Sequence, residues 1–268
     1  PKPRQQRVDA RGAVSFKYDG TKTRLDRLNQ HASAKIRFPK HREGPLETVL
    51  INTAGGLTGG DQLNWDLTLG QGAQVVSTTQ ACEKSYKSNM GPAKVVTSIR
   101  LEQDSALNWL PQETILYNGS CLHRHFDVQM ESGSSLLAIE SIVLGREAMG
   151  ETPENIELRD FWRVKRGRSL VFADNIHLTN QSKSRAQLGN NRVVTSMVFI
   201  PSENDQDHLN RLASRLRQTC TIQSSGFSAF SGKLTGRILT PDSYQLRKVL
   251  GPIVEVLSGA SLPQVWRI

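Results

Sequence analysis

LINTAGGLTGGD, from Leu50 to Asp61, joins an apolar run to a loop with paired glycines and a terminal carboxylate. A dinucleotide-binding loop needs glycines at its first, third and sixth positions, whereas these glycines come in adjacent pairs. A P-loop needs Lys followed by Ser or Thr after its last glycine. Here Asp61 follows Gly60, and its charge would repel a phosphate. The stretch therefore indicates a glycine-rich bend between two strands, with glycines at positive φ.

On both sides of this bend the chain reads as short strands. Runs with alternating or β-branched residues are bounded by Gly, Pro, Asn or Asp, and no strand–helix alternation is present. The predicted strands are Val8–Tyr18, Ala34–Phe38, Thr48–Asn52, Leu63–Leu69, Ala73–Thr79, Lys94–Leu101, Ala106–Leu110, His125–Met130, Ser135–Leu144, Leu158–Lys165, Leu170–Ala173, Arg192–Ile200, Phe227–Phe230 and Lys233–Leu239. The pattern predicts a mainly β assembly of packed sheets.

Two segments near the C-terminus have helical spacing instead. Apolar residues recur at i, i+3, i+4 and i+7 over 205–218, and again over 242–258. Asp242 is placed to cap the second helix, while Gly251-Pro252 predicts a kink or a break inside it. We expect both helices to cover one sheet face within a single domain spanning residues 1–268.

Composition narrows the function classes. The 268 residues carry a net charge of +9, but the charge is dispersed and matches no nucleic-acid-binding pattern, so we expect no nucleic acid. It is interpreted as a solvated basic face or a docking surface for an acidic protein. Cys82, Cys121 and Cys220 are far apart, which is typical of a reduced, cytosolic compartment. No apolar run approaches the length of a membrane span, so we expect no membrane insertion.

Two histidines and a cysteine are candidate metal ligands. His123 and His125 lie at i and i+2, on one face of a strand, and Cys121 points to that face. The local sequence supplies no further ligand. Two interpretations stay open: a surface strand with solvated histidines, or a metal site, including a metal-dependent enzyme that uses His123 and His125.

Carboxylates in unusual positions are the other candidates. Asp61 follows the glycine loop, Glu113 follows Trp109-Leu110-Pro111-Gln112, and Glu140 lies inside an apolar strand. An acid within such a strand is either solvent-facing or buried with a partner, for which Arg146 is a local candidate. The acids could form a structural ion pair, an acid/base pair or oxygen ligands for a cation in transit. No G-x-S-x-G or HExxH pattern occurs, which argues against an enzyme.

Several motifs occur in a fixed order along the chain. They are Asn52–Asp61, Thr78-Thr79-Gln80-Ala81 with Lys84 and Tyr86, Trp109–Thr114, Glu140–Glu151 and Leu262–Trp266. This arrangement resembles the urease accessory protein UreD family, called UreH in some organisms. The resemblance extends from about Gly12 to the last residue.

The resemblance implies a function without catalysis. Proteins similar to this one are cytoplasmic chaperones that form a complex with UreF and the GTPase UreG. That complex, of a 2:2 type or larger, docks on apo-urease and helps insert nickel in a GTP-dependent process. The family fold is a helix-like stack of β-sheets, a two-layer all-β assembly, with a small C-terminal two-helix region. An internal tunnel is proposed to carry nickel, so we expect transient Ni²⁺ and no tightly bound cofactor.

The family's functional positions are carried over onto matching residues only. Asp61, Glu140 and Glu113 are the hypothetical ligands along the nickel path, with Arg146 balancing their charge. Supporting positions that match the motifs are Thr79, Lys84, Tyr86, Arg146 and Glu151. The alternative is a pure protein-interaction scaffold that never contacts nickel.

Two places depart from the family pattern. Cys82-Glu83 replaces small residues, and Phe172–Leu178 lacks an acid–Arg pair that is often present there. A tunnel ligand from the second segment is expected only if Asp174 or His177 substitutes for that pair.

Overall fold

In the computed structural model, which describes residues 7–40, 44–146, 150–151, 153–179, 188–259 and 262–266, two β-sheets enclose the main core. Sheet A has the order β14-β13-β11-β8-β5-β1-β2. Its strands are β1 (Asp9–Tyr18), β2 (Thr23–His31), β5 (Gln62–Leu69), β8 (Ala93–Leu101), β11 (Cys121–Met130), β13 (Glu157–Arg166) and β14 (Ser169–Thr179).

Sheet B has the order β16-β17-β15-β12-β9-β6-β4-β3, and the short strand β10 pairs with β12 and β7 beside it. Its strands are β3 (Ala34–Arg37), β4 (Leu46–Asn52), β6 (Gln74–Thr79), β7 (Glu83–Ser85), β9 (Ala106–Trp109), β10 (Thr114–Leu116), β12 (Ser135–Leu144), β15 (Val193–Ile200), β16 (Ser225–Phe230) and β17 (Lys233–Thr240).

The chain winds between the two sheets. From β4 to β6, β9 and β12 it returns repeatedly to sheet B, and between these visits it forms β5, β8 and β11 of sheet A. Neighbouring strands from β1 to β13 in sheet A, and from β4 to β12 in sheet B, are parallel, while the outer strands pair antiparallel. The parallel strands are in register, so that Leu67, Ile99 and Val128 stack in one row. Each of these side chains is buried, and similar rows fill the space between the sheets. The predicted helix-like stack of β-sheets is therefore confirmed.

Two helices cover the outer face of sheet B. Helix α1 is Gln206–Thr219 and helix α2 is Ser243–Ser258. Asp242 caps α2 as predicted, because its side chain accepts a hydrogen bond from the backbone N–H of Gln245. The apolar faces of both helices pack with the outward-facing side chains of sheet B in a second core. Among the described residues, no helix is long and apolar enough to cross a membrane.

Helix α2 does not break at Gly251-Pro252. It continues from Ser243 to Ser258 with Pro252 inside it. Proline removes one helical hydrogen bond, but the neighbouring Ile253 and Val254 are almost fully buried. Burial of this apolar face maintains the helix despite the lost hydrogen bond.

Among the strands of the described residues, the sequence pattern missed three: β2, β7 and β10. Strand β2 lies at the edge of sheet A, and most of its side chains are exposed. It therefore has no buried face to create an alternating pattern. Strands β7 and β10 are each only three residues long.

Candidate functional site

The glycine loop lies flat against strand β7. Gly56 has a φ of +150°, and a Cβ at this position would lie 2.3 Å from Cε2 of Tyr86 and 2.8 Å from the carbonyl oxygen of Lys84. The Tyr86 hydroxyl donates to the carbonyl of Gly55 at 3.0 Å, and the backbone N–H of Leu57 donates to the carbonyl of Lys84 at 2.7 Å. The bend with glycines at positive φ is therefore confirmed, and its glycines permit close packing. Lys84 contributes its backbone, while its side chain is exposed.

Asp61 closes this loop through both carboxylate oxygens. Oδ1 accepts from the backbone N–H of Val8 at 2.9 Å, and Oδ2 accepts from that of Thr58 at 2.8 Å. The side chain is only 4% exposed. The geometry thus gives Asp61 a role in holding the loop against the start of β1.

A cavity of about 70 Å³ lies between the two sheets. It has room for a few water molecules. Its inward-facing polar lining residues from the two sheets and their connections are Thr79, Glu83, Thr97, Gln112, Thr114, Arg124, Glu140 and Asp160. Of the predicted carboxylates Glu140 lines this cavity, whereas Asp61 and Glu113 are not among its described lining residues.

A buried ion cluster forms one wall of the cavity. Arg124 of β11 contacts Oε2 of Glu140 at 2.9 Å and Oδ2 of Asp160 at 2.5 Å, and it donates to Oγ1 of Thr114 at 3.2 Å. Trp109 Nε1 donates to the other Glu140 oxygen at 2.7 Å. The cluster joins sheet A to sheet B, and it contains two carboxylates for one guanidinium.

Charge in this cluster is incompletely balanced. Burial raises the pKa of Glu140, and the charge of Asp160 acts in the same direction, while Arg124 lowers it. Within the described part of the chain, Asp160 Oδ1 and Arg124 Nε are buried and lack a hydrogen-bond partner. Asp160 Oδ1 is therefore an acceptor available to a water molecule or a cation in the cavity.

Arg124 and Asp160 were absent from the sequence-based candidates. Both occupy inward positions in alternating strands, Arg124 between Leu122 and Phe126, and Asp160 between Leu158 and Trp162. A charged residue in an otherwise apolar inward row was the signal that could have found them. The expectation that Arg146 balances Glu140 was wrong, because Arg124 holds that position.

Arg146 instead pairs with Glu151 near the protein surface. Its Nε lies 2.9 Å from Oε2 of Glu151, and its guanidinium carbon lies 4.6 Å from the ring centroid of Tyr117. Tyr86 packs edge-on against Tyr117 at 5.1 Å. Hydrogen bonding from Arg146 holds the pKa of Glu151 below its ordinary value. The motif residues Tyr86, Arg146 and Glu151 thus form one surface cluster.

Glu83 lies between the glycine loop and the cavity. Asn52 Nδ2 donates to both of its carboxylate oxygens, at 3.3 and 3.2 Å. Burial raises the pKa of Glu83 to about 7 despite these hydrogen bonds. Thr79, another lining residue, accepts from the backbone N–H of Gln112 at 2.9 Å. Glu83, which marks a departure from the family pattern, is therefore a third carboxylate of the cavity, beside Glu140 and Asp160.

Glu113 anchors helix α2. Its two oxygens accept from Arg247 Nε and Nη2 at 3.0 and 2.9 Å, and Cys82 Sγ lies 3.3 Å from Oε2. Burial alone would raise the pKa of Glu113, but the bonds from Arg247 bring it below its ordinary value. Burial and the neighbouring Glu113 raise the pKa of Cys82 to about 12, so its thiol stays protonated.

Within the segment Phe172–Leu178, Asp174 pairs with an arginine from a distant strand. Asp174 of β14 lies 2.6 Å from Nη2 of Arg237 on β17, and this contact bridges the two sheets. His177 is exposed on the opposite side of β14. Neither Asp174 nor His177 is among the described residues that line the cavity.

The histidine face lies outside sheet A. His123 Nε2 is 3.4 Å from Oε1 of Glu157, and Cys121 Sγ is 3.6 Å from Oε2 of the same carboxylate. His125 is separate from this group, because its ring stacks on Phe161 with the centroids 5.1 Å apart. The structure therefore groups His123 with Cys121 and with Glu157, a ligand that the local sequence did not supply, and not with His125.

Comparison of the sequence with known proteins places this chain in one family. The model of the UreD urease accessory protein family matches residues 8–267. The chain is similar to urease accessory protein UreD of Rhizobium leguminosarum bv. viciae, with 38% identity over 99% of this chain and 97% of the relative. It is also similar to urease accessory protein UreD of Brucella suis, with 40% identity over 98% of this chain and 95% of the relative. The chain belongs to the UreD urease accessory protein family.

Proposed function

We propose that this chain helps to insert nickel into apo-urease, as a cytoplasmic scaffold and metallochaperone without catalytic activity of its own. It would act in a complex with UreF and UreG, of a 2:2 type or larger, that docks on urease. GTP would be bound and hydrolysed by UreG, which accords with a glycine loop that carries no phosphate-binding lysine.

The observation that carries the nickel-path proposal is the carboxylate-lined cavity between the sheets. Glu140, Asp160 and Glu83 all reach it, and Asp160 Oδ1 has no hydrogen-bond partner among the described residues. Carboxylate oxygens are hard ligands that bind first-row divalent ions less strongly than thiolates or imidazoles do. They therefore suit a cation that must be released again, and Arg124 would limit the negative charge that holds it.

One observation favours a second candidate, a scaffold that never contacts nickel. Both oxygens of Glu140 already accept hydrogen bonds, from Trp109 and from Arg124. In that case the cluster only ties sheet A to sheet B. The two candidates predict different nickel loading of urease when the cavity carboxylates lose their charge and the fold is retained.

The first test is complementation in cells that carry the cognate urease genes and lack this chain. We expect inactive, nickel-poor urease that regains nickel and activity when the chain is re-expressed. Fully active urease without the chain would refute the maturation role.

A Glu83→Gln variant then separates the candidates, because it removes a cavity charge and retains an acceptor. Nickel loading should fall for a nickel path and stay unchanged for a scaffold.

The matched control is Glu47→Gln. Glu47 is also buried, at 7% exposure, but it is not among the described residues that line the cavity. Co-purification of UreF and UreG with each variant shows whether the complex still assembles. Equal assembly with lower nickel content for Glu83→Gln alone supports the nickel path.

A further inference from the structure

Cys121, His123 and Glu157 bring three different metal-binding groups together on the outer face of sheet A. Cys121 and His123 lie two residues apart on β11, so their side chains share a face. Strand β13 runs parallel to β11 with Glu157 directly beside Cys121. Their potential ligand atoms all lie within 4.8 Å of one another.

Two separations within this group are close to those between neighbouring ligands of a tetrahedral metal ion. Metal–sulfur and metal–nitrogen bonds of about 2.3 and 2.0–2.1 Å place neighbouring ligand atoms about 3.3–3.6 Å apart. Cys121 Sγ lies 3.6 Å from Glu157 Oε2, and His123 Nε2 lies 3.4 Å from Oε1. The two distances involve different oxygens of Glu157, so side-chain rotation would bring all three groups onto one ion.

Arg159 hydrogen-bonds to one oxygen of the Glu157 carboxylate and leaves the other to Cys121. Its Nε donates to Oε1 of Glu157 at 3.0 Å. The second oxygen, Oε2, faces only Cys121 among the hydrogen bonds of the described residues. A metal on Oε2 would replace the thiol proton, while Arg159 would continue to orient the carboxylate from the other oxygen.

The site is separate from the cavity. Along β11 the side chains of Cys121 and His123 point outward, whereas the intervening Leu122 and the next residue, Arg124, are buried on the inner face. Cys121 and His123 are partly exposed, so an ion could enter and leave from solvent. Three protein groups leave a fourth position of a tetrahedral ion open for water or for an incoming ligand.

We propose that Cys121, His123 and Glu157 form an exchangeable surface site for a divalent transition-metal ion of the Zn²⁺, Ni²⁺ and Co²⁺ type. The sulfur and nitrogen donors select these ions over Mg²⁺ and Ca²⁺, which prefer oxygen ligands only. The proposal does not depend on a nickel path through the interior, since it concerns the isolated chain and a different face of the sheet.

The test is a titration of the purified full-length chain with Co²⁺, followed by absorption spectroscopy. A cobalt–thiolate charge-transfer band that saturates at one ion per chain is expected. Cys121→Ser should abolish the band, and His123→Ala or Glu157→Gln should weaken binding at least about tenfold. Zn²⁺ added afterwards should displace the cobalt and remove the band.

Three variants serve as controls. His125→Ala changes a histidine on the same face that stacks on Phe161 instead, Cys82→Ser removes a different thiol, and Glu140→Gln alters the cavity. All three should retain the band and the affinity. No band in the wild-type chain, or a band that survives Cys121→Ser, would overturn the proposal and leave a hydrogen-bonded cluster only. Loss of the band in Glu140→Gln would contradict the independence of the two sites.

Discussion

Replacing Arg124 with methionine should destabilise the chain strongly. Arg124 contacts Glu140 at 2.9 Å and Asp160 at 2.5 Å, and the three side chains are 11%, 10% and 2% exposed. Removing one partner of a buried ion pair costs about 3–5 kcal/mol, because a charge remains in the interior without compensation. Here two carboxylates lose their shared cation. The expected loss is a large share of the about 5–15 kcal/mol that stabilises a typical domain.

The assay is urea-induced unfolding at about pH 7.5 and about pH 5. Burial raises the pKa of Glu140 and Arg124 lowers it, so without the guanidinium the pKa of Glu140 stays above its unfolded value. The folded variant then binds more protons than the unfolded chain. Stability then falls as pH rises, and the deficit of Arg124→Met should be smaller at the lower pH.

The matched control for Arg124→Met is Arg11→Met. Arg11 also lies 2.8 Å from a carboxylate, that of Asp66, but the two side chains are 65% and 35% exposed. Exposed ion pairs contribute about 0–1 kcal/mol. If Arg124→Met costs no more than Arg11→Met, the reasoning about the buried cluster is refuted.

Three further substitutions test other parts of the structure. Glu83→Gln should raise the free energy of unfolding at about pH 8 by about 1–2 kcal/mol in urea titrations. The folded pKa of Glu83, about 7, lies above its unfolded pKa, so the stability that this carboxyl contributes below its unfolded pKa is lost as pH rises through 7. Glutamine does not ionise and avoids this loss. At about pH 4 the difference should vanish, and a gain that is equal at both pH values would contradict this explanation. Gly56→Ala should lower the thermal unfolding midpoint and cost about 1–3 kcal/mol, since its Cβ would collide with Tyr86; an unchanged midpoint would count against the packed loop. Arg247→Met should cost about 3 kcal/mol in urea unfolding, because buried Glu113 loses its cation, and a cost below about 1 kcal/mol would show that the pair does not anchor helix α2.

Periodicity was sufficient to predict most of the fold. The buried rows of β5, β8 and β11 alternate along the sequence because each strand buries one face. Edge strand β2 lacks such a face and could not be recognised this way. Gly251-Pro252 predicted a kink or a break in helix α2. The helix continues through Pro252 without a break, because its apolar face packs on sheet B.

The candidate site was only partly predictable, because ion pairing depends on which strands become neighbours. Glu140 stood out as an acid in an apolar strand, but its cation, Arg124, lies on the opposite sheet. Glu157 similarly approaches Cys121 only because β13 pairs with β11. Contacts between residues far apart in sequence follow from strand order, which spacing within one strand does not reveal.

The proposed nickel path is tested most directly by the nickel content of urease matured with the Glu140→Gln chain. Urease should be purified from cells in which UreF and UreG co-purify with this variant and with Glu47→Gln in equal amounts. The nickel-path account predicts nickel-poor, inactive urease for Glu140→Gln and full nickel loading for Glu47→Gln. Full nickel and activity with Glu140→Gln would contradict a passage along the cavity carboxylates and favour the scaffold.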